Sequence, residues 1–557
     1  MSIFLKIKFF LFLIITFIAV NIRAQQIEFI EEYSAKTNKV SFFNLSLYDK
    51  DTESLWKNLF IDKDYDQISL FLDNLPVNSK NKVLQEIIFQ ILTSNKVFAK
   101  NRISDEQFSL IFNKVIDKLF ITGRFNEIEF FYSKYPKLSN TSFVLQKMIE
   151  GNLLRNRHTE ACKILEKNFD ENLLNLGKIM IMCNIINSKF DEAKLGLQLL
   201  KEQNNPGDLF FIELAFSLMS EENELDSKGL KKTLDNLKEL NPIIISSLQF
   251  ADISPNFEQI EKFSISGLLS ILSNPSVERE LKIYCSEILV KIGRIDAETL
   301  SDAYQLSRFK PSEVERAEKI YKTLAPNRAR PLLYQAILRD KKPETRFDKI
   351  ISLIKVSQSD NLIKEISKLV DITDDLKVYV KSNEEAVILS KIFQSRGLYS
   401  DARDVLSKNY KKPESDYRKM AIELSEAMQK SDTNFYRIEN DLDLVKSIEN
   451  QGSVFLKKII MIISLYLDLN QEEIEKLQEI SISKELKLSG DDFKNLLLAQ
   501  QLSTNNDFFN SISLMFKIVD EDDFENLNII KIYTLLTILK NLGLENEFKS
   551  LSERILL

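Results

Sequence analysis

The chain has 557 residues, of which 44% are hydrophobic and only 12 are glycine and 11 proline, so it can build a large buried core. Its 82 acidic side chains outnumber the 75 basic ones, and the resulting net charge of −7 disfavours nucleic acid as a partner. A single histidine excludes a zinc site built from several histidines of one chain.

The N-terminus has the pattern of a secretory signal peptide over residues 1–24. Lys6 and Lys8 precede an apolar run from residue 9 to residue 20, and Ala24 precedes the polar Gln25. The alternative is an uncleaved anchor, but this run is shorter than the roughly 20 residues that span a bilayer. We therefore expect a periplasmic protein, or as a second choice a secreted one, without a membrane span after cleavage.

Residues 25–55 form an N-terminal extension that lacks helical periodicity. The segment from Val40 to Leu45 is rich in residues that favour a short strand or an extended conformation. Trp56, the only tryptophan, follows the extension. We expect its ring to lie in the core of the first helix pair.

Residues 56–240 have the periodicity of antiparallel helix pairs, because apolar side chains recur at spacings of three and four, as from Leu84 to Leu92. A turn pattern also recurs, in which a ring-bearing residue is followed three positions later by a small or aliphatic one. We expect the ring to fill a groove between helix pairs and the small residue to let two helices approach closely. The pattern comprises Tyr65 and Ile68, Gly123 with Phe125 and Ile128, His158 and Ala161, and Phe190 and Ala193.

The last member of this pattern recurs about every 33 residues between Ile128 and Ala193, which is a period typical of stacked helix pairs. Gly123 precedes its ring by two positions, and Asn156 and Ser188 take that place in the next two copies. The spacing thus predicts a helical turn of the same kind in each copy.

The middle of the chain, residues 241–343, is rich in proline. Seven of the eleven prolines lie there, and proline ends or opens helices, so we expect shorter helices and a break in the regular arrangement. After Pro311, Ser312 and Glu315 have the spacing of a capping box, which predicts that a helix begins at this point.

Residues 344–557 return to the helical pattern, and Gly397, Tyr399 and Ala402 repeat the turn pattern there. Gly543 indicates one more turn before a final helix. The sequence therefore predicts an all-α protein, an α-solenoid of antiparallel helix pairs with an irregular, proline-rich middle.

Two of the three cysteines are candidates for a disulfide. Cys162 lies in the second helix of one predicted pair and Cys183 in the first helix of the next, at nearly equal distances from the loop around Asn172. Antiparallel helices would bring them side by side, and an exported compartment favours oxidation. Two separate buried thiols are the alternative. Cys285 has no obvious partner, and we expect it to be a buried thiol.

No motif indicates catalysis or a cofactor. His158 occupies a turn position that holds phenylalanine in other copies, so we interpret it as a structural ring. The sequence contains neither a glycine-rich phosphate-binding loop nor a Gly-x-Ser-x-Gly nucleophile motif. We therefore predict no enzyme activity, no cofactor and no metal ligands.

Residues 57–200 resemble tetratricopeptide-like repeats, in which a Gly-x-aromatic turn leads to a small residue and proline closes the unit. Gly123, Phe125, Ile128 and Pro136 give the best match, although the Trp-Leu-Gly-Tyr signature of the first helix is missing. The region from residue 160 to residue 200 also resembles uncharacterised exported helical-repeat proteins of alphaproteobacteria. These resemblances imply a helical scaffold in the periplasm and bring no known active residues.

We therefore expect an exported, non-catalytic scaffold or solenoid that binds a protein or peptide in the cell envelope. The alternative is an accessory or degenerate protein of peptidoglycan remodelling, built on a helical superstructure. A purely mechanical or spacing role in the envelope is a third possibility.

Overall fold

The structure is a computed structural model. It describes residues 42–47, 55–139, 141–168, 176–219, 227–235, 237, 240–371, 374–407, 413–431, 454–467, 494–495, 497–499, 501–502, 505, 507–519, 527 and 529–557. The predicted signal peptide (1–24) and most of the predicted N-terminal extension (25–41 and 48–54) lie outside the described residues, as does the predicted loop centre at Asn172.

The N-terminal part contains one two-stranded antiparallel sheet. Strand β1 (Phe42–Leu45) lies within the segment predicted to be extended, and it pairs with β2 (Lys96–Ala99), which the sequence analysis did not predict. The helices of this part are α1 (Tyr65–Asp73), α2 (Lys82–Thr93), α3 (Asp105–Ile121), α4 (Phe125–Lys134), α5 (Pro136–Ser139), α6 (Ser142–Leu154) and α7 (His158–Lys167).

The central part continues with α-helices. They are α8 (Gly177–Ile186), α9 (Phe190–Glu202), α10 (Leu209–Met219), α11 (Ser227–Asp235), α12 (Pro242–Phe250), α13 (Phe257–Glu261), α14 (Ile265–Ser273), α15 (Arg279–Lys291), α16 (Ala297–Gln305), α17 (Pro311–Glu315), α18 (Ala317–Ile320), α19 (Pro326–Arg339), α20 (Pro343–Gln358) and α21 (Ile363–Ile366).

The C-terminal part is also helical. Its helices are α22 (Asn383–Ser395), α23 (Tyr399–Ser407), α24 (Pro413–Lys430), α25 (Val454–Tyr466), α26 (Phe508–Val519), α27 (Ile529–Asn541) and α28 (Glu545–Leu556). Most described residues are thus helical, and the all-α prediction is confirmed at this level. Successive helices contact each other, for example α6 and α7, α8 and α9, and α22 and α23.

Local sequence signals fix where several helices begin. The carboxylate of Asp64 accepts the backbone N–H of Gln67 at 2.9 Å, and the Gln67 side chain accepts the N–H of Asp64, which starts α1 with a capping box. Ser104 and Gln107 start α3 in the same way. The capping box predicted at Ser312 is wrong, because α17 already begins at Pro311 and Glu313 caps the N–H of Lys310.

Several helices end in one recurring turn. A residue with positive φ follows the helix, and the next residue donates its backbone N–H to a carbonyl five positions earlier, as Arg124 does to Leu119 at 2.8 Å. This geometry reverses the chain and satisfies carbonyls that the helix end would leave unpaired. The left-handed residues in these turns are Gly123, Asn156, Ser188, Asp252, Gly293, Asn361, Gly397 and Gly543.

The first and last parts of the described chain share one hydrophobic core. Trp56 packs edge-on against Phe508 with ring centroids 5.1 Å apart, and Phe71 contacts Phe516 at 6.0 Å. The final helix, α28, contacts α2 near the N-terminus. Arg554 on α28 also donates to the backbone carbonyl of Lys291 at 2.9 Å, so α28 joins the N-terminal and central parts.

The proline-rich middle contains several short helices, as expected from its proline content. It nevertheless packs closely against the N-terminal helices, since α12 and α14 both contact α6 and α14 contacts α3. The turn at Gly293 between α15 and α16 has the same left-handed geometry as the turns outside the middle.

Candidate ligand-binding cavity at the helix turns

The residues of the predicted turn pattern occupy equivalent places in the structure. Each ring-bearing member is the first residue of a helix, at the start of α1, α4, α7, α9 and α23. Each small or aliphatic member lies one turn later and is buried. The ring-bearing residues are Tyr65, Phe125, His158, Phe190 and Tyr399, and the buried ones are Ile68, Ile128, Ala161, Ala193 and Ala402.

The expectation that every ring fills a groove is wrong for Phe190. Its side chain is 39% exposed, whereas that of Phe125 is only 6% exposed. Phe125 lies against Gly151 on α6, where a Cβ atom would come within 2.8 Å of the ring.

Cys162 on α7 and Cys183 on α8 form the predicted disulfide, with Cα atoms 5.4 Å apart. Both residues are buried in one hydrophobic core, so the bond joins two helices that also pack together. Cys285 on α15 is a buried free thiol. Burial raises the pKa of this thiol, which therefore stays protonated and is a poor nucleophile.

His158 lies in a packed environment at the start of α7. Its Nε2 atom is 3.3 Å from the hydroxyl of Ser246, and its ring meets that of Phe250 edge-on at a centroid distance of 5.5 Å. Burial lowers the pKa of His158, which favours the neutral ring. These neighbours support the interpretation of His158 as a structural residue.

Three of the left-handed turn residues are followed by arginine. Arg124, Arg157 and Arg294 occupy the same position in the turns after α3, α6 and α15, and their side chains line one cavity. Arg294 also donates a hydrogen bond from Nη2 to the carbonyl of Gly123 at 2.7 Å, across 171 residues of sequence. Equivalent positions of three turns thus converge at one place.

We call this space the arginine cavity and define it by Arg124, Arg155, Arg157, Arg294 and Glu127. Its volume is about 510 Å³, within the range of pockets that hold small ligands or a few side chains. Phe125, Leu154 and Leu269 contribute apolar surface to its walls.

Two of the four arginines have acidic neighbours. Arg124 has Nη1 3.9 Å from the carboxylate of Glu127, and its guanidinium lies 3.9 Å from the ring centroid of Phe89. Arg155 forms an ion pair with Glu129. These contacts hold both side chains in the cavity wall.

The other two arginines, Arg157 and Arg294, form no ion pair with any residue that the structure describes. The Nε atom of Arg294 is buried and has no hydrogen-bond partner there. Burial lowers the pKa of Arg294 to about 10, and the positive charge of Arg124 also lowers it, while Glu127 opposes this effect. The Arg294 guanidinium is therefore partly dehydrated and close to a like charge.

In each of two other cavities, a cation in the wall forms an ion pair with a carboxylate. Beside the turn at Gly397 lies a cavity of about 330 Å³, in which Lys364 forms an ion pair with Glu553 at 3.0 Å. A cavity of about 470 Å³ contains Arg330, whose guanidinium is bound in two places to the carboxylate of Glu287. Each of these two cavities also contains a lysine without an ion pair among the described residues, Lys368 in the first and Lys80 in the second. The arginine cavity is distinguished by its four arginines, since each of the other two contains one.

The sequence analysis missed the arginine cavity, although a signal for it is present. The turns read Gly123-Arg124, Asn156-Arg157 and Gly293-Arg294 when they are aligned on the left-handed residue. In the corresponding turns at Ser188, Asp252, Asn361, Gly397 and Gly543 the next residue is lysine, isoleucine or leucine. That alignment would have identified three equivalent arginines, but not their convergence.

Among the described residues, no group of three or more His, Cys, Asp or Glu side chains is placed to hold a metal ion. None of the helices found in those residues is both long and apolar enough to cross a bilayer. The chain matches no protein-family model, and comparison with curated proteins and with solved structures likewise gives no match.

Proposed function

We propose that this protein is an exported, non-catalytic scaffold that binds a segment of another polypeptide at the arginine cavity. The observation that carries this proposal is the convergence of three helix turns on one solvent-filled space of about 510 Å³ with both charged and apolar walls. Such mixed walls are typical of sites that orient a ligand through a few polar contacts.

The recurring turn geometry supports a solenoid of tetratricopeptide-like helix pairs as the framework of this scaffold. Repeat proteins of this type present extended surfaces for polypeptide partners. The buried disulfide between Cys162 and Cys183 supports export, because such bonds persist in oxidising compartments such as the periplasm.

Site-specific photo-crosslinking tests this proposal. A photoreactive amino acid replaces Asn126, an exposed residue that lines the cavity, and in a matched control it replaces Asp302, an exposed residue of α16 outside the cavity. We expect one polypeptide to be crosslinked reproducibly from position 126 in the periplasm and not from position 302. Equal capture from both positions would reject a partner at this cavity.

A binding assay with peptidoglycan distinguishes the proposed scaffold function from the alternative role in peptidoglycan remodelling. Co-sedimentation of the purified protein with insoluble peptidoglycan, together with no polypeptide crosslinked from position 126, would favour an accessory role in cell-wall remodelling. Exclusive cytoplasmic location of the protein would contradict both functions.

A further inference from the structure

The charge of the arginine cavity contrasts with that of the whole chain. The protein carries 82 acidic side chains against 75 basic ones, yet four arginines and one glutamate are the charged residues that define this cavity. Neither Arg157 nor Arg294 forms an ion pair with a carboxylate of the described residues, although Glu127 is close enough to act on the charge of Arg294. The local excess of positive charge favours an anionic ligand.

Burial makes the charge of Arg294 costly for the empty protein. A guanidinium removed from water is stable only when carboxylates or other acceptors replace its hydration. Arg294 donates one hydrogen bond from Nη2 to the carbonyl of Gly123, but its buried Nε–H has no acceptor among the described residues. An anion in the cavity would supply acceptors for this side chain and reduce the repulsion between Arg294 and Arg124.

We infer that the arginine cavity binds carboxylates of an acidic segment in the partner polypeptide, with Arg157 and Arg294 as its principal ligands. This inference rests on the proposed function and names the chemistry of the partner. Guanidinium groups recognise carboxylates through pairs of parallel N–H···O bonds, which are about twice as strong as neutral hydrogen bonds.

The rest of the cavity fits an acidic peptide better than a free inorganic anion. The half-buried side chain of Leu269 offers apolar surface beside the arginines, which suits an aliphatic side chain that flanks a carboxylate. A volume of about 510 Å³ also has room for a few side chains, which one inorganic anion would not fill. The cavity therefore favours an acidic segment of a polypeptide with an apolar residue near its carboxylates.

Isothermal titration calorimetry with the purified whole protein tests this inference. The probe is an acetylated and amidated peptide in which leucine and glutamate alternate, and the matched peptide has glutamine in place of glutamate. We expect the acidic peptide to bind and the glutamine peptide to bind at least about tenfold more weakly, because charged hydrogen bonds are lost. Inorganic phosphate serves as a third ligand and is expected to bind more weakly than the acidic peptide.

Two variants locate the binding site. Arg157 is exposed and its side chain forms no hydrogen bond with a described residue, so Arg157→Gln should preserve the fold. We expect this variant to bind the acidic peptide about tenfold more weakly than the wild type. Arg294→Gln is expected to weaken the binding of the acidic peptide at least as much. Arg308→Gln, which removes the same charge from an exposed site outside the cavity, should leave the affinity unchanged.

The outcomes separate this inference from the proposed function. Equal affinity of the variants and the wild type, equal binding of both peptides, or tighter binding of phosphate would overturn the acidic-segment inference. If the crosslinked polypeptide is still captured from position 126 in an Arg157→Gln and Arg294→Gln double variant, the scaffold function stands and the inference fails. If no polypeptide is captured from wild type, the proposed function fails first.

Discussion

The side-chain amide of Gln90 donates a hydrogen bond to the carboxylate of Glu547 at 2.7 Å, although 457 residues separate them. Gln90 also accepts the indole N–H of Trp56 at 2.8 Å. Glu547 is buried on α28, so this short chain of hydrogen bonds joins the beginning and the end of the described chain. Long-range contacts of this kind make the two ends parts of one core.

The contact between Gln90 and Glu547 is therefore expected to couple the stability of the two ends. A double-mutant cycle with Gln90→Leu and Glu547→Leu should give a coupling energy of about 1.5–3 kcal/mol, because the acceptor is a buried carboxylate. The hydrogen bond from Trp56 is lost in the Gln90→Leu single variant and in the double variant alike, so its energy cancels in the coupling energy. Urea unfolding, followed by circular dichroism and by the fluorescence of Trp56, provides the free energies. Additive effects of the two substitutions would show that the ends are uncoupled.

Gly123 is expected to tolerate a side chain less well than another glycine with the same backbone. Its φ is +68°, and an added Cβ would lie 2.4 Å from Cδ1 of Leu269. Gly543 has φ +72° and no atom within 4 Å of such a Cβ. Gly543→Ala should cost about 1–2 kcal/mol for the backbone alone, whereas Gly123→Ala should cost a further 1–3 kcal/mol for the clash.

Thermal unfolding of the two alanine variants measures this difference. Leu269→Ala in the Gly123→Ala background should recover part of the additional loss, because the shorter side chain removes the clash. Equal destabilisation at both glycines would argue against close packing of the middle on this turn.

The disulfide is expected to stabilise the helices that it joins. Cys162→Ser with Cys183→Ser should lower the free energy of unfolding by about 3 kcal/mol, since the closed loop restricts the unfolded chain. Reductant should destabilise the wild type by a similar amount and leave the double variant unchanged. Cys285→Ser is the control, and it should keep the response to reductant. A wild-type protein whose unfolding midpoint ignores reductant would contradict this role.

Lys96 is expected to make stability depend on pH. It is fully buried in β2, its ammonium donates to the carbonyl of Ser94 at 2.6 Å, and burial lowers its pKa from 10.5 to about 7. Between these two values the unfolded chain holds more protons than the folded protein. Stability should therefore rise with pH in this window, by at most about 1.4 kcal/mol per pH unit, and this contribution should be constant below about pH 7.

Lys96→Met should remove the part of the rise in stability that Lys96 causes. The free energy of unfolding of the variant should therefore exceed that of the wild type most at neutral pH and least near pH 10.5. Lys319→Met, at an exposed lysine of α18, is the control and should retain the wild-type slope. Chemical unfolding at several pH values measures both slopes. Parallel curves for wild type and Lys96→Met would refute a depressed pKa.

The buried ion pair of Glu287 and Arg330 is expected to be far more sensitive to substitution than an exposed pair between the same two helices. Glu287 accepts two hydrogen bonds from Arg330, at 2.7 and 2.6 Å, and a third from Tyr304 at 2.7 Å. Glu287→Leu should cost about 3–5 kcal/mol because it leaves a buried arginine without its main partner.

The exposed pair of Glu280 and Arg328 is the matched control, since it also joins α15 to α19. Glu280→Leu should change stability by less than about 1 kcal/mol, because water and salt screen exposed charges. Similar losses for the two leucine variants would mean that burial does not set the energy of these pairs.

The sequence by itself determined the helical class, the turn positions and the cysteine pair. These features depend on neighbours in the chain: apolar spacing of three and four defines helices, and left-handed backbone favours glycine and asparagine, as at Gly123 and Asn156. The pairing of Cys162 with Cys183 followed from the same local logic, since adjacent antiparallel helices bring them together.

The tertiary structure decided which turns meet and which side chains lose water. Arg294 approaches Gly123 because α14 packs against both α3 and α15. Glu547 approaches Gln90 because α2 and α28 share a core. Local periodicity indicates which face of a helix is buried, but many other helices could cover that face with similar energy. The choice among them depends on packing summed over the whole chain, and no short segment contains that information.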